Sequence, residues 1–93
     1  MIQIFRVLHQ GVPQSVTSTK AENGMVSKCT IVLQEYGSIH GPTYACTLLG
    51  NSAHCKFSVG EIVMASLRFH AVEFNGKWFQ DITVNSIDNL KLH

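Results

Sequence analysis

The sequence predicts an all-β fold of one domain, and three observations carry that expectation. The chain has 93 residues, room for one hydrophobic core and not for two. Its apolar residues recur with the period of two that strands require, in several separate runs, and no stretch shows a helical period. Between the two longest runs stands Asn75-Gly76. Asn-Gly between alternating apolar positions is the strongest short-range hairpin signal, because a type I′ turn needs φ > 0 at both central residues.

Residues 1–10 (MIQIFRVLHQ) read as the first strand, rich in β-branched and aromatic side chains. Ile2, Ile4 and Leu8, with Phe5 and Val7 between them, make both faces apolar, which predicts core on one side and a partner on the other. Gly11-Val12-Pro13 ends the strand. Residues 14–24 (QSVTSTKAENG) read as a polar loop, longer than most hairpin connections. In the second strand, residues 25–36, Cys29, Ile31 and Leu33 share one face, with Lys28, Thr30, Val32 and Gln34 on the other. Residues 37–42 form a turn. In the third strand, residues 43–49, Tyr44, Cys46 and Leu48 share one face and Ala45, Thr47 and Leu49 the other. Residues 51–56 form a link with one helical turn capped by Asn51. Phe57 then tucks into the core ahead of a tight turn at Val59-Gly60.

Residues 61–74 and 77–87 are strands four and five, and the two-residue turn fixes their register. Phe74 faces Lys77, Glu73 faces Trp78, Val72 faces Phe79, His70 faces Asp81, Phe69 faces Ile82, Arg68 faces Thr83 and Leu67 faces Val84. One face, with Val63, Leu67, Phe69, Ile82 and Val84, reads as core. The other mixes Arg68, His70, Val72, Phe74, Lys77, Phe79, Asp81, Thr83 and Asn85. Five strands, a long early loop, a short link between strands three and four, and a long final hairpin make the element order of a five-stranded OB barrel. An SH3-like barrel is the nearest competitor and would have shorter strands. The domain takes residues 1–88, and residues 89–93 form a short polar tail.

Composition narrows the function. Charged residues are 14% of the chain, against roughly 25% in an ordinary soluble domain. So little charge leaves apolar surface uncovered and predicts a homo-oligomer, dimer or tetramer. The net charge is +1, too small to steer a polyanion, so nucleic-acid binding must rest on a local patch and on stacking. No apolar run has the length of a bilayer span and the start lacks a leader pattern, so no membrane partner and a cytoplasmic location are expected. The three cysteines, Cys29, Cys46 and Cys55, lack C-x-x-C spacing and read as free thiols rather than a disulfide framework or metal site. No cofactor and no metal are expected. There is no Gly-rich phosphate loop and no strained elbow for Ser66 or Thr83 to act as a nucleophile. His70 opposite Asp81 reads as a surface cross-strand pair, and the chain is not expected to be an enzyme.

The segment Val59-Gly60-Glu61, followed by a strand and then by Glu73-Phe74-Asn75-Gly76-Lys77-Trp78-Phe79-Gln80-Asp81-Ile82, resembles the fourth-to-fifth strand segment of bacterial single-stranded-DNA-binding proteins. It is similar, more closely still, to a group of small uncharacterised bacterial OB-fold proteins with N-G-[KR]-W-[YF]-x-D at the hairpin. Pro13 and Pro42 match that group's prolines after strand one and entering strand three. The resemblance implies a single OB barrel, commonly a homo-oligomer, that binds single-stranded DNA. This chain has Leu48-Leu49 where the group tends to carry an aromatic, and only Arg6 as a cation in strand one. It ends shortly after Ile87 without the acidic tail of the larger proteins, so recruitment through such a tail is not expected.

The candidate nucleic-acid-binding residues are Arg6, Lys28, Tyr44, Arg68, Phe74, Lys77, Trp78 and Phe79. Phe74, Trp78 and Phe79 cluster at the hairpin tip, where bases can stack on aromatic faces. Lys77 and Arg68 stand beside them for phosphates, and Lys28 and Lys77 can line one groove. Arg6, Lys20 and Lys56 are further scattered cations, each of them more commonly plain surface charge. Tyr44 is either a stacking platform or a core tyrosine. The register puts Trp78 on the core side near the barrel mouth, which favours a structural role for it. Single-stranded DNA is the expected partner, with RNA the alternative. A protein-assembly OB domain that buries the same aromatic face is the competing expectation, and a small-molecule or oligosaccharide binder is a weaker third.

Overall fold

The computed structural model describes residues 2–17, 24–37 and 40–90. They form six strands and one short helix: β1 (Ile2–Gln10), β2 (Gln14–Thr17), β3 (Met25–Glu35), β4 (Thr43–Leu49), the 3₁₀ helix η1 (Gly50–His54), β5 (Ile62–Phe74) and β6 (Lys77–Asn89). No helix among the described residues is long and apolar enough to cross a membrane. The sheet order is β1-β5-β6-β4-β3-β2, and an additional β1–β3 pairing turns the sheet back on itself. The resulting ring has one thin seam. Where β4 meets β6 the strands run parallel and share a single pair, Thr47 with Thr83.

The alternation expected from the sequence builds the core. Phe5 and Val7 from β1, Cys29, Ile31 and Leu33 from β3, Cys46 and Leu48 from β4, Val63 and Ala65 from β5, and Val84 from β6 are buried together. Ala53 of η1 joins them, and Phe57 packs partly buried against them, as expected. Burying an aliphatic or aromatic side chain of this kind contributes about 1.5–3 kcal/mol. Two irregularities shift which residues face inward. In β1, Val7 pairs with Leu33 but His9 with Val32, so Leu8 is the extra residue. In β6, Val84 pairs with Leu67 but Ser86 with Ser66, so Asn85 is extra. An extra residue flips every later side chain to the other face. Ile87 therefore follows Ile82 and Val84 inward, where an unbroken strand would have turned it out.

Four expectations need correction. The predicted loop at residues 14–24 begins as a strand: Gln14–Thr17 pairs antiparallel with the start of β3, so the described residues form six strands rather than five. The helical turn begins at Gly50, with Leu49 in the N-cap position and no side-chain cap. Asn51 lies inside it, one residue after Gly50, whose φ is a left-handed +66°. The last strand runs to Asn89, which pairs with Val63, past the expected start of the tail. Finally, Phe69 is not core. It is 54% exposed, because β5 and β6 outrun the ring. β1 pairs with β5 only from Ile62 to Ser66, and β4 pairs with β6 only at Thr83. Leu67, Ile82 and Phe69 still pack near the core, and beyond them the hairpin is a free two-stranded ribbon in which every residue from 71 to 80 is exposed.

Candidate nucleic-acid interface

The ribbon has the register expected from its turn. Asn75 and Gly76 take φ of +52° and +78°, and every cross-strand pair from Phe74–Lys77 to Leu67–Val84 is formed. Alternation then sorts its side chains onto two faces. The outer face carries Arg68, His70, Val72 and Phe74 on β5 and Lys77, Phe79, Asp81 and Thr83 on β6. Phe74 is 67% exposed and Phe79 53%. Both stand near Lys77, which is paired directly with Phe74.

At the root of the ribbon the outer face sinks into a cleft of about 490 Å³, lined by Leu49, Arg68, His70, Asp81 and Thr83. His70 Nε2 lies 3.1 Å from Asp81 Oδ2. Gln80 Nε2 donates to the His70 carbonyl at 3.2 Å, which ties the two strands together beside that pair. Leu49 of β4 is paired with Lys28 of β3. Lys28 alternates with buried Cys29, so it faces the same outer surface. One face therefore runs from Lys28 across Leu49 and the cleft to Arg68, and on to Phe79, Phe74 and Lys77.

The remaining candidates lie elsewhere. Tyr44 belongs to the inner side at the barrel rim. Its ring meets Phe5 edge-on at 6.1 Å and Phe69 at 5.8 Å, and its hydroxyl donates to Glu35 Oε1 at 3.2 Å. Burial, and then the neighbouring Glu35 carboxylate, hold that hydroxyl above its ordinary pKa. Of the two readings open for Tyr44, this is the core tyrosine. Trp78 is on the inner side of the ribbon, opposite Glu73, but it is 68% exposed and fills no barrel mouth, because the barrel has ended before it. Arg6 lies 5.7 Å from the centre of the Tyr36 ring, a cation–π contact on β1 away from the ribbon. Lys56 is exposed in the link and lines a separate cleft beside Phe57. Lys20 and most of the expected loop lie outside the described residues.

The structure also shows what the sequence reading missed. Leu49 is a wall of the cleft, a role that only the β4–β6 seam creates. Gln10, at the end of β1, holds the link before β5 from both ends of its amide. Its Nε2 donates to the Cys55 carbonyl at 2.6 Å and its Oε1 accepts from the Phe57 amide at 2.8 Å. A polar residue at a strand end gives no sign of this, since its partners are 45 and 47 residues away. No protein-family model matches the chain, and no curated protein matches it.

Proposed function

We propose that the chain is a small bacterial OB-fold protein, of the kind that resembles single-stranded-DNA-binding proteins, and that it binds single-stranded DNA without catalysing a reaction. The strand order supports the OB reading: five strands close a ring through one parallel seam, and the first of them pairs with both the next long strand and the fourth of the ring. The observation that carries the function is the exposure of Phe74 and Phe79 beside Lys77 on a face continuous with Arg68 and Lys28. Bases stack on the two rings, where each platform contributes about 1–3 kcal/mol. The three cations meet the backbone. With net charge near neutral, affinity depends on this patch, and its phosphate contacts make it fall with salt.

A titration of labelled oligo-dT tests this. The expected outcome is binding at low ionic strength that weakens steadily as salt is added. Absence of binding at micromolar protein in about 50 mM salt refutes the proposal, since phosphate-driven affinity is strong there.

A second reading, assembly through an apolar face, is favoured by a different observation. Exposed apolar side chains also cover the outside of β1 and its neighbour, at Ile2, Ile4 and Met64, and patches of this kind mark protein contacts. Light scattering on Phe79→Asp separates the two. If the outer ribbon face is a subunit interface, the variant dissociates. If it is the DNA surface, the variant keeps its association state and loses oligo-dT.

A further inference from the structure

The cleft at the root of the ribbon holds chemistry that stacking alone does not use. Its volume of about 490 Å³ is in the range of small-ligand sites, enough for one nucleobase and its sugar. The walls are of four kinds: apolar Leu49, the donors Arg68 and Thr83, the imidazole of His70, and the carboxylate of Asp81. Asp81 engages His70 through Oδ2, and that contact orients the carboxylate and leaves Oδ1 as an acceptor. An ionised carboxylate accepts hydrogen bonds and donates none.

Position along β6 decides which group meets a base. Phe79, Asp81 and Thr83 are successive outer-face residues, spaced two apart, about 7 Å from one to the next. A base stacked on Phe79 therefore has its edge at Asp81. Arg68, paired with Thr83, lies one step further toward the barrel, where the next phosphate of the strand comes within reach.

We propose that this cleft selects a base whose pairing edge carries an amine, with Asp81 as the acceptor, so that the protein prefers cytosine to thymine. The proposal rests on the single-stranded-DNA reading and adds a base preference to it. Cytosine and thymine have nearly the same size, and both stack on Phe79. They differ in that cytosine presents the N4 amine where thymine presents the O4 acceptor. Asp81 bonds the first. Against the second it sets acceptor to acceptor, and both groups lose their water without gaining a partner.

The test is the ratio of affinities for oligo-dC and oligo-dT of equal length, measured by anisotropy at mildly alkaline pH, where cytosine is unprotonated. The wild-type chain should prefer oligo-dC by about tenfold, the worth of one hydrogen bond to a charged acceptor. Asp81→Asn, whose amide both donates and accepts, should bring the ratio close to one. Because the ratio is taken within each protein, a general gain of affinity from removing a negative charge does not affect it. Equal affinities, a preference for oligo-dT, or a preference for oligo-dC that survives Asp81→Asn overturns the role of the cleft alone. Failure to bind either oligonucleotide overturns the single-stranded-DNA reading and this inference with it.

Discussion

Truncating Phe79 separates a binding surface from a folding element. Phe79 stands opposite Val72 on the outer face of the ribbon, and both are exposed. Removing a buried phenylalanine such as Phe5 costs about 3–5 kcal/mol. Phe79→Ala removes a ring that is already half in water and one cross-strand pair, and such pairs contribute about 0.2–1 kcal/mol. The expected loss of stability is therefore under about 1 kcal/mol, a fall in Tm of no more than about 4–8 °C for a domain of this size. Binding should suffer more. Loss of one stacking platform costs about 1–3 kcal/mol, which at 1.4 kcal/mol per decade is about a five- to 140-fold rise in Kd. No charge is removed, so the slope of affinity against salt should stay as it was. Anisotropy with labelled oligo-dT and a thermal melt followed by circular dichroism give both numbers from one preparation. An unchanged Kd in a folded variant refutes stacking on Phe79. A fall in Tm of the size expected for Phe5 refutes the claim that the ribbon lies outside the core.

Three further predictions concern the body of the fold. Gln10→Ala removes the bonds to the Cys55 carbonyl and the Phe57 amide and should destabilise the fold by about 1–3 kcal/mol in urea denaturation, whereas a change within about 0.5 kcal/mol would show that the clamp is idle. Iodoacetamide should label exposed Cys55 in the native protein and spare buried Cys29 and Cys46. Burial pushes the Cys46 thiol from 9.0 up to about 11. In that window the unfolded chain has lost a proton that the folded chain keeps, so stability is fully present below pH 9.0 and falls toward about pH 11. A stability that rises across that range contradicts the burial of Cys46.

The hairpin register was legible because Asn75-Gly76 admits one tight turn, and every pair back to Leu67–Val84 then follows by counting. The inward faces of β3 and β4 were legible for a related reason: Cys29, Ile31 and Leu33, then Cys46 and Leu48, alternate without a break. The strand β2 was not. Its sequence, QSVT, holds one apolar residue, and Val16 is only half-buried. It is a strand because Met25–Lys28 offers it a ladder, and strand preference depends more on such neighbours than on the residues themselves. The Gln10 clamp and the Leu49 wall were hidden because each depends on chain segments far apart in sequence.

Phe69 and Trp78 show the limit of alternation as a guide to burial. Alternation says which side of a strand a residue takes, and it placed both correctly on the side that faces the core further down. It does not say where the core stops. That is set by the last pairs with neighbouring strands, Ile2 with Ser66 and Thr47 with Thr83. Past them the ribbon has two apolar faces in solvent instead of one. The outer face joins Phe74 and Phe79 to Lys77 and Arg68. The inner face joins Phe69 and Trp78 to Glu73 and Gln80, with no cation. The outer face sets cations beside its carboxylate, Asp81, whereas the inner face has the Glu73 carboxylate and no cation. Under the proposed function, strand binding and self-association therefore do not compete for one surface. On that proposal DNA takes the outer face, and the inner face, with the tryptophan, stays clear of it.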